Sequence, residues 1–476
     1  MIINGFSNPI HHPVVYNILE TFKASYCHII NSNFEIDIPP FVQTTFHDAA
    51  KLALGDYDVD WNDIQPLDEE LIESMSDCEA VALRMMDRHL HIPLYNDRKR
   101  LYLKHLRYWN HVLNENKIDI FLSSAPPHEV YDFILYSLCK MKKIPTISLF
   151  QIMDSDVIIM MDNWQDIDLE IKRKYQYLLR YFKSVPEAKI KLSGGLKDDF
   201  EYQLSRKDAT PRYKLIKHKK GIVDVLRLFS FGLSRLFFLA KKPFLLLDKI
   251  LHYIKRSLIK KYMFNFYNKN TTRPNMKNRF IYFPLHMQPE ATTSPLAGAF
   301  VDQILVVQMI VSFLPKNIYL YIKEHPSQTD FSRDIEFYKE LLRIPQVRLV
   351  PMSTNTFDLI NNSIAIATAT GTAGWEALYR RKPVLLFGHC FYQYAEGVFM
   401  IRTNNDCKKA LNKTIKEHFK PSIKSIKIYL KALENYTIEG YIDPIYQEIS
   451  HTTDLISNEN IIAKLTNKIN SVYSKA

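Results

Sequence analysis

The chain has 476 residues, 47% hydrophobic and 24% charged, close to an ordinary globular protein. That length suits two or three domains, and the balance excludes global disorder, a fibrous repeat and a multi-span membrane protein. The formal charge is +11, and the whole excess sits between Lys214 and Lys261, where thirteen Lys/Arg face only Asp224 and Asp248. One basic stretch in an otherwise neutral chain points to a single anionic partner surface and away from nucleic acid.

The N-terminal stretch MIINGFSNPI has no basic region before an apolar run, unlike a secretory leader. A short strand pattern, Met1–Ile3, leads through His11 and His12 to a helix over Val14–Phe22. Residues 31–75 are mixed and acidic, without assignable chemistry, and a helix pattern follows from about Arg98 to Asn114. Ile118–Leu122, the loop Ser123–Pro127, Val130–Lys140 and Pro145–Phe150 then read as strand, turn, amphipathic helix and strand, a βαβ crossover. Residues 160–210 read as charged and helical. From Arg279 onward, strand patterns (279–285, 317–323, 347–350, 363–368, 383–387) alternate with helix patterns (300–313, 332–343, 355–361, 373–381, 405–417), which predicts a parallel sheet covered on both faces. Residues 421–476 read as two helices around a turn near Gly440–Pro444. The five cysteines (27, 78, 139, 390, 407) are widely spaced with no CxxC, which fits a reducing compartment better than a disulfide framework.

The basic stretch interleaves Lys and Arg with runs such as LFSFGLSRLFFLA. Its longest uncharged run, Leu228–Ser234, is far short of the roughly 20 residues that span a bilayer. Two readings fit: a helix lying in the interface of an anionic membrane, or a buried helical connection with a solvated basic face.

Three loops after second-half strands carry candidate chemistry, because doubly wound domains bind ligands at the carboxyl ends of their strands. In Ala365–Leu378, Gly371 and Gly374 are two of only 12 glycines in the chain. They let a phosphate approach the backbone, with Thr368, Thr370 and Thr372 as donors and Glu376 one turn on, near enough to accept from a ribose. The alternative is a plainly capped helix after a buried strand. In Tyr319–Pro326, Pro326 ends the strand and holds Lys323, Glu324 and His325 at the sheet edge, where ammonium and imidazole suit a leaving phosphate. In Phe283–Pro295, His286, Gln288 and Glu290 suit a sugar or a diphosphate, or simply build a polar turn.

The Lys-Glu-His-Pro turn, the Thr-Gly-Thr-Ala-Gly-Trp-Glu-Ala loop and Arg381–Gly388 resemble bacterial capsule polysaccharide synthesis proteins, which are similar to Kdo- and sialyltransferase-like glycosyltransferases. The resemblance implies a GT-B-like α/β fold, with two Rossmann-like domains facing a cleft and the nucleotide-sugar donor in the second. It carries phosphate binding onto His325, Pro326, Thr368, Thr370, Gly371 and Thr372, and it implies a glycan or glycolipid acceptor and a base in the first domain. No residue matches that base by motif; His128, Glu129 and Asp154 follow strand-like segments, and His11 and His12 follow the first strand.

These readings divide the chain into an N-terminal acceptor-side domain (1–205), a basic amphipathic helical segment (206–275), a nucleotide-sugar domain (276–420) and C-terminal helices packing back towards the first domain (421–476). The expected activity is metal-independent transfer from a CMP- or UDP-sugar, without a cofactor, by a cytoplasmic protein held at the inner leaflet through residues 214–261. An epimerase, a polyol-phosphate transferase, and a non-catalytic component of a capsule assembly complex remain as alternatives.

Overall fold

The computed structural model describes residues 1–32, 36–88, 94–152, 155–166, 169–212, 257–328 and 333–474. Asp154 and residues 213–256, the bulk of the basic stretch, lie outside the described residues. The strands in chain order are β1 (Ile2–Asn4), β2 (Tyr26–Asn31), β3 (Gln43–Asp48), β4 (Phe121–Ser123), β5 (Thr146–Gln151), β6 (Val157–Met161) and β7 (Phe280–Pro284). They continue with β8 (Tyr319–Lys323), β9 (Val347–Val350), β10 (Ala365–Thr368), β11 (Val384–Leu386), β12 (Val398–Met400) and β13 (Thr437–Glu439).

The strands form two sheets. The second has the order β9-β8-β7-β10-β11-β12 and is parallel throughout. Its strands are near-continuous apolar runs because helices cover both faces. Alternate residues serve alternate cores: Phe280, Tyr282 and Ile366 pack on one face, and Ile281, Phe283 and Ala367 on the other. The first sheet has the order β3-β2-β1-β4-β5-β6-β13. It is parallel from β3 to β5, while β6 runs antiparallel to β5, and β13 antiparallel to β6. The described chain is therefore α/β, with two Rossmann-like sheets, and β4, the helix Val130–Met141 and β5 form the predicted crossover.

The end of the chain returns to the first sheet. Ile461, Leu465 and Ile469 of the helix Asp454–Tyr473 share a core with Val14 and Ile18 of the helix His12–Thr21. The helix Ile423–Leu433 lies on the helix Leu169–Tyr181, with the Tyr175 hydroxyl donating to Ser425 O at 3.3 Å. The two halves are also tied by an Arg206–Glu376 ion pair (3.1 Å) and by Trp375 Nε1 donating to Asp199 Oδ2 (3.2 Å).

Several elements differ from the sequence reading. The acidic stretch 31–75 contains β3, a polar edge strand that no apolar run announces. The stretch 160–210 holds the end of β6 and two separate helices, Leu169–Tyr181 and Gly194–Ser205. β12 and β13 are three residues each, too short to show a period, and exist because a partner strand supplies their hydrogen bonds.

Candidate functional site

In the second sheet the chain winds outward from β7 through β8 to β9, and outward on the other side from β10 through β11 to β12. Between β7 and β10 the winding reverses, which opens a crevice at the carboxyl ends of the strands. The loops after β7 and β10 meet there, and the turn after β8 lies on the other side of β7, along the same edge.

His286, two residues past β7, is the joint between them. Its Nε2 accepts from the Thr370 amide at 3.2 Å and lies 3.2 Å from Thr368 Oγ1. Its Nδ1 has no hydrogen-bond partner among the described residues. Burial, then the charges of Arg333 and His325, push its pKa down to about 3, so the ring is neutral. Gly371 is required at this joint, because a Cβ there would lie 2.8 Å from His286 Nε2. The same holds one turn on, where a Cβ on Gly374 would lie 2.3 Å from the Tyr392 hydroxyl, which donates to Gly371 O at 2.5 Å. Gly371 is the N-cap of the helix Thr372–Tyr379, and no side chain caps that helix. The Gly374 amide donates to Gly371 O at 3.1 Å, and the amides of Thr372 and Ala373 are left for an incoming anion, beside a buried neutral imidazole.

The threonines divide into separate roles. Thr368 Oγ1 accepts from the Gly371 amide at 3.0 Å, and the Thr370 hydroxyl donates to Thr292 O at 2.6 Å; both shape the loop. Thr372 is exposed at the helix start. Glu376 is buried in its ion pair with Arg206 rather than presented to solvent.

The β8 turn divides in the same way. His325 and Pro326 are exposed. His325 Nδ1 accepts from the Ser327 amide at 3.2 Å, so the neutral ring carries its proton on Nε2, the tautomer that can donate to an oxyanion. Lys323 is buried, its Nζ donating to Thr354 O (2.9 Å) and Thr356 Oγ1 (2.6 Å), and burial lowers its pKa to about 8. Glu324 is fully buried, paired with Arg333 and accepting from the Tyr338 hydroxyl at 2.6 Å.

Arg333 also donates to His286 O and to Gln288 Oε1. Gln303 accepts from the His286 amide (2.8 Å) and donates to Gln288 Oε1 (3.0 Å), while Gln328 is bonded to the Gln288 backbone. Glu324 and Gln288 thus belong to a buried web that fixes His286, while Glu290 is exposed at the rim. Sequence reasoning missed Arg333, Gln303, Gln328 and Tyr392; no local pattern marks them, because each acts on a residue distant in sequence.

The first sheet has its own reversal, between β1 and β4. Asn4 ends β1, and its side-chain amide donates to Ser123 Oγ (3.1 Å) and Asp132 Oδ2 (3.3 Å). His128 sits above them, half-buried, with Nδ1 at 2.8 Å from Pro126 O and Nε2 at 3.8 Å from Glu129 Oε1. The carbonyl can only accept, so Nδ1 carries the proton and Nε2 the lone pair. Asp132, absent from the sequence reading, has an unpartnered Oδ1 among the described residues, and burial, then Glu129, holds its carboxyl well above the usual range. Leu296, from the loop after β7, shares an apolar cluster with Val130, Phe133 and Trp164. His11 is buried against Asn458 (2.9 Å), joining the chain's two ends, and His12 is half-buried beside it. Among the described residues no group of three His, Cys, Asp or Glu side chains is placed to hold a metal, and all five cysteines are unpaired.

Residues 249–426 match a family model described as capsule polysaccharide biosynthesis protein. No curated protein matches the chain in sequence. Among solved structures it is similar to KpsC, the β-Kdo 2,7 transferase of Thermosulfurimonas dismutans, with a TM-score of 0.36 and 9% identity over 97% of this chain and 98% of that one. It is also similar to the UDP-GlcNAc 2-epimerase of Methanocaldococcus jannaschii, with a TM-score of 0.28 and 11% identity over 91% and 99%. A glycosyltransferase from Rickettsia africae gives a TM-score of 0.28 and 10% identity over 100% and 99%.

Proposed function

We propose that the protein is a glycosyltransferase of capsule polysaccharide biosynthesis, moving a sugar from a nucleotide-activated donor, a CMP- or UDP-sugar, to a glycan or lipid-linked acceptor. The observation that carries this is the second-sheet crevice, where His286 locks an uncapped helix start against the β7 loop. The family match over the same part of the chain supports it. The donor phosphate binds the amides of Thr372 and Ala373 with the Thr372 hydroxyl, and His325 Nε2–H donates to it.

His128 at the first-sheet reversal is the base. The acceptor oxygen attacks the anomeric carbon, and its proton passes to His128 Nε2. The bond from that carbon to the phosphate oxygen breaks, and the nucleotide leaves with both bonding electrons. Glu129 stabilises the imidazolium so formed. Anion amides and His325 neutralise the leaving group, so transfer needs no metal.

The protein works on the cytoplasmic side, docked on the anionic inner leaflet through residues 214–261. At the described end of that stretch Leu258, Ile259 and Tyr262 are exposed beside Lys260 and Lys261, as an interfacial helix requires. No helix among the described residues is long and apolar enough to cross a membrane.

The test is a thermal-shift screen of CMP, UDP, GDP and CDP, followed by product analysis with the matching sugar nucleotides. Stabilisation by CMP or UDP, with released nucleotide and an extended glycan, is expected. If none of the four stabilises the protein, the donor site is wrong. If a free sugar changes and no glycan grows, the reaction is epimerisation. Flotation with anionic liposomes tests docking; binding unaltered by neutralising Lys241, Lys242, Lys255 and Arg256 removes the membrane role.

A further inference from the structure

The helix Leu169–Tyr181 buries Ile171, Tyr175 and Leu178. Its opposite face is unspent by the fold. Tyr177 and Tyr181, one helical turn apart, are 57% and 63% exposed and stack with ring centroids 6.1 Å apart at an interplanar angle of 20°. Lys174 Nζ stands 5.6 Å over the Tyr177 ring. From Ile171 to Pro186 the chain carries Lys172, Arg173, Lys174, Arg180 and Lys183 and no acid. None of these five cations forms an ion pair among the described residues. The neighbouring helix adds Lys424, whose Nζ reaches Lys183 O at 2.9 Å.

The segment that leads into this helix meets the loop after β11, whose first residues border the donor crevice: the Trp164 and His389 rings lie edge to face with centroids 5.4 Å apart. Gly388, after β11, lies against Thr370, where a Cβ would come within 2.6 Å of the threonine methyl. The same loop carries Tyr394, which donates to Asp166 Oδ1 at 2.5 Å and lies under Lys172 Nζ at 5.5 Å. The helix therefore starts beside the loop after β11, and Tyr177 and Tyr181 lie about two and three turns further along it.

We infer that the Tyr177/Tyr181 face with its flanking cations is a holding site for an anionic glycan chain, the carboxylate-bearing acceptor that emerges from the crevice. The inference rests on the glycosyltransferase reading and names the chemistry of its acceptor. Pyranose rings present polarised C–H groups that suit the negative face of an aromatic ring, and the carboxylates between them pair with Arg and Lys. A membrane would need an aliphatic stripe on the same face, and residues 172, 173, 176, 177, 180 and 181 are Lys, Arg, Gln, Tyr, Arg and Tyr.

The test uses the full chain and four probes: polygalacturonate oligomers, neutral dextran, phosphatidylglycerol vesicles and oligo(dT). Polygalacturonate is expected to bind and dextran not to. Tyr177→Ala/Tyr181→Ala should weaken that binding about tenfold, equivalent to about 1.4 kcal/mol, while Tyr177→Phe/Tyr181→Phe retains it. Arg173→Gln/Arg180→Gln should weaken it and reduce its salt dependence. Stabilisation by CMP or UDP should be the same in every variant; a wild type that keeps nucleotide stabilisation and fails to bind polygalacturonate refutes this inference alone, and a wild type that no nucleotide stabilises refutes the donor site. Binding that ignores the alanine pair, no binding of polygalacturonate, or tighter binding of vesicles or oligo(dT) that the alanine pair abolishes, each overturns it.

Discussion

His286 offers the sharpest test of how the crevice is built. Replacing it with alanine removes the acceptor of the Thr370 amide and the ring that fills the space beside Gly371. A buried donor left without a partner costs about 1–3 kcal/mol, and with the cavity the total is about 2–4 kcal/mol. The loop that presents the helix amides then loses its fixed shape, and nucleotide affinity is expected to fall roughly tenfold. The assay is thermal shift at a nucleotide concentration about a hundred times the wild-type Kd, where binding contributes about 2.7 kcal/mol. In His286→Ala that contribution should drop to about 1.4 kcal/mol. His286→Gln places an amide oxygen close to the position of Nε2 and should recover most of both losses. The ring is neutral down to about pH 3, so the loss must be the same at pH 6 and pH 8. Equal nucleotide stabilisation in His286→Ala and the wild type would refute the claim that this ring organises the anion site.

Four further outcomes follow from the structure. His28 and His286 have pKa values pushed down to about 3, and His47 and His389 to about 4, by burial first in each case. The unfolded chain takes up protons at these histidines from about pH 6.5. The native state does not, so stability falls with falling pH by about 1.4 kcal/mol per unit for each histidine, until its native value is reached. Melting temperature should drop steeply between pH 6.5 and 4; a flat profile from pH 7 to 5 contradicts this. Arg206→Ala removes the ion-pair partner of the buried Glu376 carboxylate and should cost about 3–5 kcal/mol in urea unfolding, with Arg206→Met/Glu376→Leu recovering most of it. His128→Gln should lower kcat roughly a hundredfold or more and leave nucleotide stabilisation unchanged; equal effects on both place His128 in binding. Sugar transfer should persist in EDTA, and activity that vanishes and returns only with Mn²⁺ or Mg²⁺ counts against anion neutralisation by amides and His325.

Much of the second sheet was legible in the sequence because strands covered on both faces must be apolar along their whole length, as FIYFP and YLYIK are. The loop at Gly371 was legible because glycine is scarce in this chain and two fall within four residues. β3 and β13 were not, because an edge strand with few or mixed side chains shows no period and is defined by its partner. The site was legible as a set of loops and not as a set of roles. Glu324, Lys323 and Glu376 share the sheet edge with His325, and their spacing gives no sign that the first three turn inward.

The sequence by itself determined the fold class, the alternation of the later half and which strand ends carry polar chemistry, since these follow from local pattern and from the backbone freedom of glycine. Only the tertiary structure decided that His286 and Arg333 organise the crevice, that Glu376 answers Arg206, that Asp132 lies under His128, and that the chain's last helix belongs to its first sheet. Those facts depend on which groups meet across tens to hundreds of residues. Burial then sets their charge, and neither meeting nor burial is written in the spacing of neighbours along the chain.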